Sequence, residues 1–261
     1  MKASIFPLIC LVVILSIALS SSLALGDEIS NYFEANNVDG TLIVAKKDGT
    51  PIYMHNNARA KIRYSPASTF KILNTLIGLD SGAVQFKGSQ FKWDGDDKGS
   101  AAWNRDHTLE TAFRASCVWV YQDIARHVGR DRYVSDLQTL GYGNARIGDE
   151  VDQFWLNDEL QISGIEQIEF LRQLHTVTLL YKNEHLAELK AMMHEEKTSS
   201  YSLYAKSGWS GPTLHIGWYV GYIETLTGVW LFAMNMDMEK LEQAPLRKEL
   251  VIKSLKSLQL V

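Results

Sequence analysis

The sequence predicts an α/β (α+β) domain. Strands from the two ends of the chain form one sheet, and a mainly helical sub-region at about residues 65–200 interrupts it. Three observations carry this expectation. Residues 41–54 read as a hairpin, residues 201–236 hold three more strand candidates, and the stretch between shows apolar residues at helical spacing. A length of 261 residues with 46% hydrophobic composition permits one large domain or two small ones, with ample core. With 21% charged residues and five prolines, disordered, collagen-like and Pro-rich architectures are excluded.

Residues 1–24 read as a secretory leader rather than as part of the fold. Lys2 is a short positive start, residues 5–19 are an apolar run, and Ser22-Leu23-Ala24 fits a small-x-small cleavage site, with the cut after Ala24. The run is short for a membrane span, which needs about 20 apolar residues. The acidic Gly26-Asp27-Glu28 follows it instead of a basic stop-transfer cluster. The expectation is an exported, periplasmic protein without stable membrane insertion. Cleavage removes Lys2 and Cys10, so the formal charge of −4 becomes one unit more acidic and Cys117 is the one cysteine left, without a disulfide. An acidic chain with no basic cluster is a poor nucleic-acid binder. The seven histidines show no His-x-His and no His-Glu-x-x-His, so no metal site is expected.

In the expected single domain, residues 25–261, the hairpin comes first. A β-rich run, an Asp48-Gly49 turn and a second run make it. Helices are expected at 69–79, 118–128 and 130–140. A further helix carries Ile165, Ile168, Leu171 and Leu174 at every third position, preceded by a Ser163/Glu166 capping box. The strands at 201–207, 215–223 and 229–236 are rich in Tyr, Trp, Val and Ile and are separated by glycine-containing breaks. A helix at 244–258 closes the chain. The junction between the sheet and the helical sub-region is where a cleft and its site are expected.

The chemistry begins at Ser68-Thr-Phe-Lys71. At the opening turn of a helix, a lysine three residues on shares a face with the serine. A serine needs a base to become nucleophilic, and a lysine serves only if burial lowers its pKa. The helix start offers backbone N–H groups to a developing oxyanion. The ordinary alternative is a capping serine beside a solvated lysine. Ser89-Gln-Phe-Lys92 repeats the spacing, but in a strand-and-turn context that separates the two side chains. Ser116-Cys-Val118 precedes a helix, Tyr142-Gly-Asn144 reads as a turn, and Lys206-Ser-Gly208 ends a strand, where glycine permits close backbone approach. The order Ser-x-x-Lys, Ser-x-x, Lys-Ser/Thr-Gly is that of serine β-lactamases and penicillin-binding proteins.

These motifs, with Trp93-Asp-Gly95, Trp103-Asn-Arg-Asp-His107, Phe154-Trp-Leu156 and the Phe232–Asp237 segment, resemble the class D β-lactamases (oxacillinases) over most of the chain. The resemblance implies a serine β-lactamase/penicillin-binding transpeptidase-like fold, an antiparallel sheet flanked by helices plus a helical sub-region. It implies a β-lactam substrate, Ser68 as nucleophile, and Lys71 as N6-carboxylysine formed from CO2 or bicarbonate, with no other cofactor. It implies that Trp155 holds that group, that Val118 and Leu156 wall the pocket, and that Ser116 relays a proton. Lys206 and Ser207 would bind the substrate carboxylate or support Ser116, with Arg247 a second anchor. Gly208 lies between them and Trp209, whose backbone N–H would form the oxyanion hole with that of Ser68. Some relatives dimerise. A non-hydrolytic β-lactam sensor and a D,D-peptidase are the competing readings. The first sits behind transmembrane helices, and the second usually has Asn where Val118 stands. Glu166 is expected as a helix cap rather than a deacylating base, and Cys117 as a buried packing residue.

Overall fold

The computed structural model describes residues 28–176 and 181–261. The leader and its cleavage after Ala24 lie outside them. Residues 28–35 form a helix, α1. The hairpin follows as β1 (Gly40–Lys46) and β2 (Pro51–His55). The helical sub-region holds α2 (Lys71–Asp80), the short strands β3 (Gln90–Phe91) and β4 (His107–Thr108), α3 (Leu109–Arg114), α4 (Val118–Val128), α5 (Arg130–Leu140), α6 (Gly164–His175) and α7 (Asn183–Met193). The chain then returns as β5 (His194–Lys197), β6 (Tyr201–Trp209), the short α8 (Gly211–Leu214), β7 (Ile216–Thr225), β8 (Gly228–Asp237) and α9 (Ala244–Ser257).

Six strands make one antiparallel sheet in the order β2-β1-β8-β7-β6-β5. The two ends of the chain meet where β1 pairs with β8, from Gly40 opposite Met236 to Lys46 opposite Trp230. Side chains alternate between the faces, as a two-residue period demands. Leu42 and Val44 of β1, with Phe232, Met234 and Met236 of β8, pack against Ile29 and Phe33 of α1 and Leu250, Val251 and Leu255 of α9. Ile43, Ala45, Leu231, Ala233, Trp218 and Val220 face the helical sub-region and share its core. Each Val, Leu, Ile, Phe or Met among them contributes about 1.5–3 kcal/mol when fully buried, so the sheet is clamped from both sides.

On the helical side α2 is the central rod. Leu73, Leu76 and Ile77 are fully buried, and so are the polar Lys71, Asn74 and Thr75. Thr75 and Tyr121 share a hydroxyl hydrogen bond of 2.8 Å, and Tyr133 donates to Asn74 Oδ1 at 2.6 Å. Gly78 lets α4 approach, since a Cβ there would lie 2.9 Å from Ile124 Cγ2.

The hairpin, the three late strands and the helices at 118–128, 130–140 and 244–258 stand where the sequence places them, apart from end residues. The helix expected at 69–79 opens as a 3-10 turn, Ala67–Phe70, before α2 begins at Lys71. His215, expected in a strand, instead ends α8 in the left-handed region at φ 56°. On α6 the capping box forms: Ser163 Oγ accepts from Glu166 N at 3.2 Å, and Glu166 Oε2 accepts from Ser163 N at 2.9 Å. The stripe does not hold as one face. Ile168 and Leu171 are buried but Ile165 is 40% exposed, because a three-residue step drifts around a 3.6-residue helix. Among the described residues no helix is long and apolar enough to cross a membrane, and no cluster of three or more metal-ligating side chains occurs. Cys117 is a free, buried thiol.

Candidate active site

Ser68 sits in the 3-10 turn between Pro66 and α2. The residue before it, Ala67, has φ 48°, a conformation that non-glycine residues rarely adopt. The turn is pressed onto β6: a Cβ on Gly208 would lie 3.0 Å from Pro66 O and 3.2 Å from both Ser68 N and Thr69 Cγ2. Glycine in Lys-Ser-Gly is therefore what lets the serine turn and the strand touch. Thr69 Oγ1 donates to Pro66 O at 2.7 Å and accepts from Gln167 Nε2 of α6 at 3.1 Å. Ser65 ties the turn in two directions. Its carbonyl accepts from Trp218 Nε1 and its hydroxyl donates to Trp155 O, both at 2.9 Å.

The alternative of a capping serine and a solvated lysine fails. Ser68 makes no cap, and Lys71 is fully buried. Lys71 Nζ donates to Ser68 Oγ at 3.2 Å and lies 4.9 Å from the centre of the Tyr121 ring. Burial pushes the Lys71 pKa down to about 7, and the neighbouring Lys206 charge pushes in the same direction.

A second serine–lysine couple faces the first. Ser116 occupies the turn between α3 and α4 at φ 51°, held by its N–H on Phe113 O and by Cys117 N–H on Ala112 O. Lys206 Nζ donates to Ser116 Oγ and, at 2.9 Å, to Ser207 O. Its ammonium lies 5.6 Å from the Phe113 ring centre. Burial takes Lys206 down to about 7 as well. The Glu195 carboxylate opposes this shift and the Arg247 guanidinium reinforces it.

Trp155 is fully buried and stacked on Phe70 at 5.6 Å. Its indole N–H is buried without a hydrogen-bond partner. Leu156 beside it and Val118 at the start of α4 are half-buried. Tyr142-Gly-Asn144 is more than a turn. Gly143 has φ 57°, and a Cβ there would stand 2.0 Å from Gln161 O. Asn144 donates to Glu159 O and accepts from the N–H groups of Arg146 and Gln161. The motif thereby staples the loop that carries Trp155. Ser207 and Trp209 are half-buried on β6, and the Trp209 indole donates to Met238 O at 2.9 Å. Arg247 reaches the back of β6, donating to Gly208 O and Trp218 O, and burial brings its pKa down to about 10. Glu166 is committed to its cap and to Arg63, whose guanidinium holds the carboxyl below the usual range.

Ser68, Lys71, Ser116, Lys206 and Gly208 thus converge from four separate elements. Ser65, Ala67 and Tyr121 were not read from the sequence. Tyr121 alone left a signal, as a hydroxyl among the apolar positions of α4. The arrangement offers a hydroxyl in contact with a buried amine whose pKa is brought to about 7, a second hydroxyl held by a second lysine brought equally low, and a glycine-lined strand edge. That is acyl-transfer chemistry.

The chain matches the penicillin-binding protein transpeptidase domain family over residues 30–255. It is 37% identical over 246 residues to β-lactamase OXA-19 of Pseudomonas aeruginosa, covering 93% of this chain and 92% of that protein. It is 39% identical over 226 residues to β-lactamase OXA-48 of Klebsiella pneumoniae, covering 86% and 85%. The crystal structure of a class D β-lactamase, YbXI from Nostoc, superposes with a TM-score of 0.86 at 36% identity, covering 89% of this chain and 99% of that one. Likeness of sequence and of fold extends across nearly the whole described chain, and on that basis the chain belongs to the class D serine β-lactamases.

Proposed function

We propose that the protein is an exported enzyme that hydrolyses the ring amide of penicillin-type β-lactams through an acyl-enzyme on Ser68, so conferring resistance, with Lys71 carrying an N6-carboxyl group from CO2 or bicarbonate. The supporting observation is the pairing of a fully buried Lys71, brought to about pH 7 and touching Ser68, with a buried Trp155 N–H that has no acceptor. Only a neutral amine adds CO2, and an indole N–H is a donor only, suited to an anion. When present, that carboxyl group supplies an anionic general base.

The chain's own residues do the rest. Ser68 Oγ, its proton passing to the Lys71 side chain, adds to the lactam carbonyl, and the backbone N–H groups of Ser68 and Trp209 donate to the oxyanion; water then cleaves the Ser68 ester and the hydroxyl is restored. Ser116, held by the Lys206 ammonium, passes a proton to the lactam nitrogen as the ring C–N bond breaks. Lys206 and Ser207 attract the substrate carboxylate, with the Arg247 charge behind β6. Val118 and Leu156 restrict water around Lys71. Residues 1–24 act as the leader that carries the enzyme to the periplasm.

The test mixes residues 25–261 with a chromogenic cephalosporin, with and without bicarbonate, and records turnover and acyl-enzyme mass. Sustained turnover raised by bicarbonate is expected. A persistent adduct without turnover would make the protein a β-lactam sensor, and the absence of any adduct at Ser68 would refute the serine mechanism.

A further inference from the structure

Beside Lys206 and Ser207 opens a cavity of about 320 Å³, lined also by Phe113, Arg114, Glu195 and Lys248. Glu195 stands on β5, the edge strand. Pairing of β5 with β6 runs from His194 opposite Tyr204 to Glu196 opposite Leu203, so the register slips at Glu195. Such a bulge re-aims side chains. In a regular strand Glu195 and Glu196 would face opposite ways, yet both reach the same ammonium, Lys248 Nζ, at 3.4 Å and 3.0 Å. Glu195 Oε2 accepts a second bond, from Tyr219 Oη at 2.8 Å. Tyr219 lies on β7 directly opposite Ser207. A carboxylate fixed from β7 and α9 is thus delivered by an irregular strand to the wall beside the substrate-binding lysine.

We propose that Glu195 is a positioning residue of the active site, anchored by Tyr219 and Lys248, whose negative charge on the wall of the shared cavity helps hold Lys206 in place for the substrate carboxylate. This deepens the proposed hydrolysis and rests on it. Lys206 is otherwise surrounded by groups that disfavour its charge or are neutral: Lys71 on α2, Phe113 on α3, Ser116 ahead of α4, Arg247 on α9 and Ser207 on its own strand. Arg114 and Lys248, lining the cavity, add two further positive charges. Glu195 is the anion that opposes them, and it raises the Lys206 pKa against burial.

The experiment compares the wild type with Glu195→Gln, which keeps the shape and a hydrogen-bond acceptor for Tyr219 but removes the charge. Glu196→Gln is the control, since it too faces Lys248 but does not bond Tyr219. Two readouts are taken: KM and kcat from pH 5.5 to 9, and the titration of 13C-labelled lysine by NMR, with the Lys206 signal assigned from Lys206→Arg. In Glu195→Gln the Lys206 titration moves to lower pH. KM at pH 8 rises about fivefold with kcat within about twofold, and the difference closes at pH 5.5, where Lys206 is protonated in both. Glu196→Gln shows neither change. An unmoved Lys206 titration, an effect equal at all pH values, or the same effect in Glu196→Gln would overturn the proposal. A wild type without turnover would instead refute the hydrolysis reading, and the NMR titration would still decide the coupling of Glu195 to Lys206.

Discussion

Replacing Lys71 with methionine should abolish turnover and make the protein more stable. Methionine fills the space of the lysine stem without its charge. The fold takes Lys71 from an ordinary 10.5 to about 7, so the folded state gives up the proton above about pH 7 while the unfolded chain keeps it to 10.5. Between these limits the unfolded chain binds more protons, and stability from this group rises with pH. The full penalty, about 5 kcal/mol, applies below pH 7. It falls to about 2 kcal/mol at pH 9 and vanishes above 10.5. Lys71→Met removes the penalty but also the bond to Ser68 and the contact with Tyr121. A net gain of about 2 kcal/mol or more is therefore expected at pH 7, and a smaller one at pH 9. Urea denaturation in CO2-free buffer at the two pH values measures it. Added bicarbonate should stabilise the wild type and leave Lys71→Met unchanged, because only the wild type has an amine to modify. A variant less stable than the wild type at pH 7, or a gain that grows toward pH 9, would refute the reasoning.

Three more outcomes are expected. Trp155→Phe keeps a ring against Phe70 and deletes an unpartnered buried N–H. Stability in CO2-free buffer should change by less than about 1 kcal/mol, while turnover falls at least tenfold and needs more bicarbonate; unchanged bicarbonate dependence would contradict the role given to the indole. Gly143→Ala drives a Cβ to 2.0 Å from Gln161 O at φ 57° and should cost about 3 kcal/mol or more by urea denaturation; a loss below 1 kcal/mol would mean that the loop is not stapled there. Glu166→Gln should leave kcat within about threefold, since its carboxylate serves Ser163 and Arg63. A hundredfold loss would restore it as a base.

What was legible in the sequence was what local chemistry writes down. The hairpin, β6 to β8 and the Ser163 cap follow from residue patterns within ten positions, and the four side chains proposed as catalytic sit in three short motifs. What was not legible depends on residues far apart. The left-handed Ala67 and Ser116 look like any alanine and serine, because β6 and the α3–α4 turn impose their backbones from outside. α7 opens on Lys182 with no side-chain cap, so nothing marks its start. β5 reads His-Glu-Glu-Lys, a polar string that becomes a strand because it lies at the sheet edge, where charge is tolerated. Tyr142-Gly-Asn144 looked like a turn because its partner, Gln161, is distant in sequence.

The costs collected at this site require a scaffold that holds it from several sides. Two buried lysines are both brought down to about 7, two non-glycine residues are held at positive φ, and an indole N–H lacks an acceptor. Left-handed residues alone cost about 1–3 kcal/mol each, and such a cluster would relax if any wall could move. None moves freely. The Ser68 turn is pressed against Gly208 on one side and tied through Thr69 to Gln167 of α6 on another. Through Ser65 it is joined to Trp218 of the doubly buried β7 and to the Trp155 loop, which Asn144 pins in turn. Relaxing Ala67 toward an ordinary backbone would require unseating the sheet, the loop and α6 together, three packed bodies instead of one side chain. The turn that carries Ser68 is therefore strained at Ala67 and held in place for the same reason: the residues that hold it also hold the core.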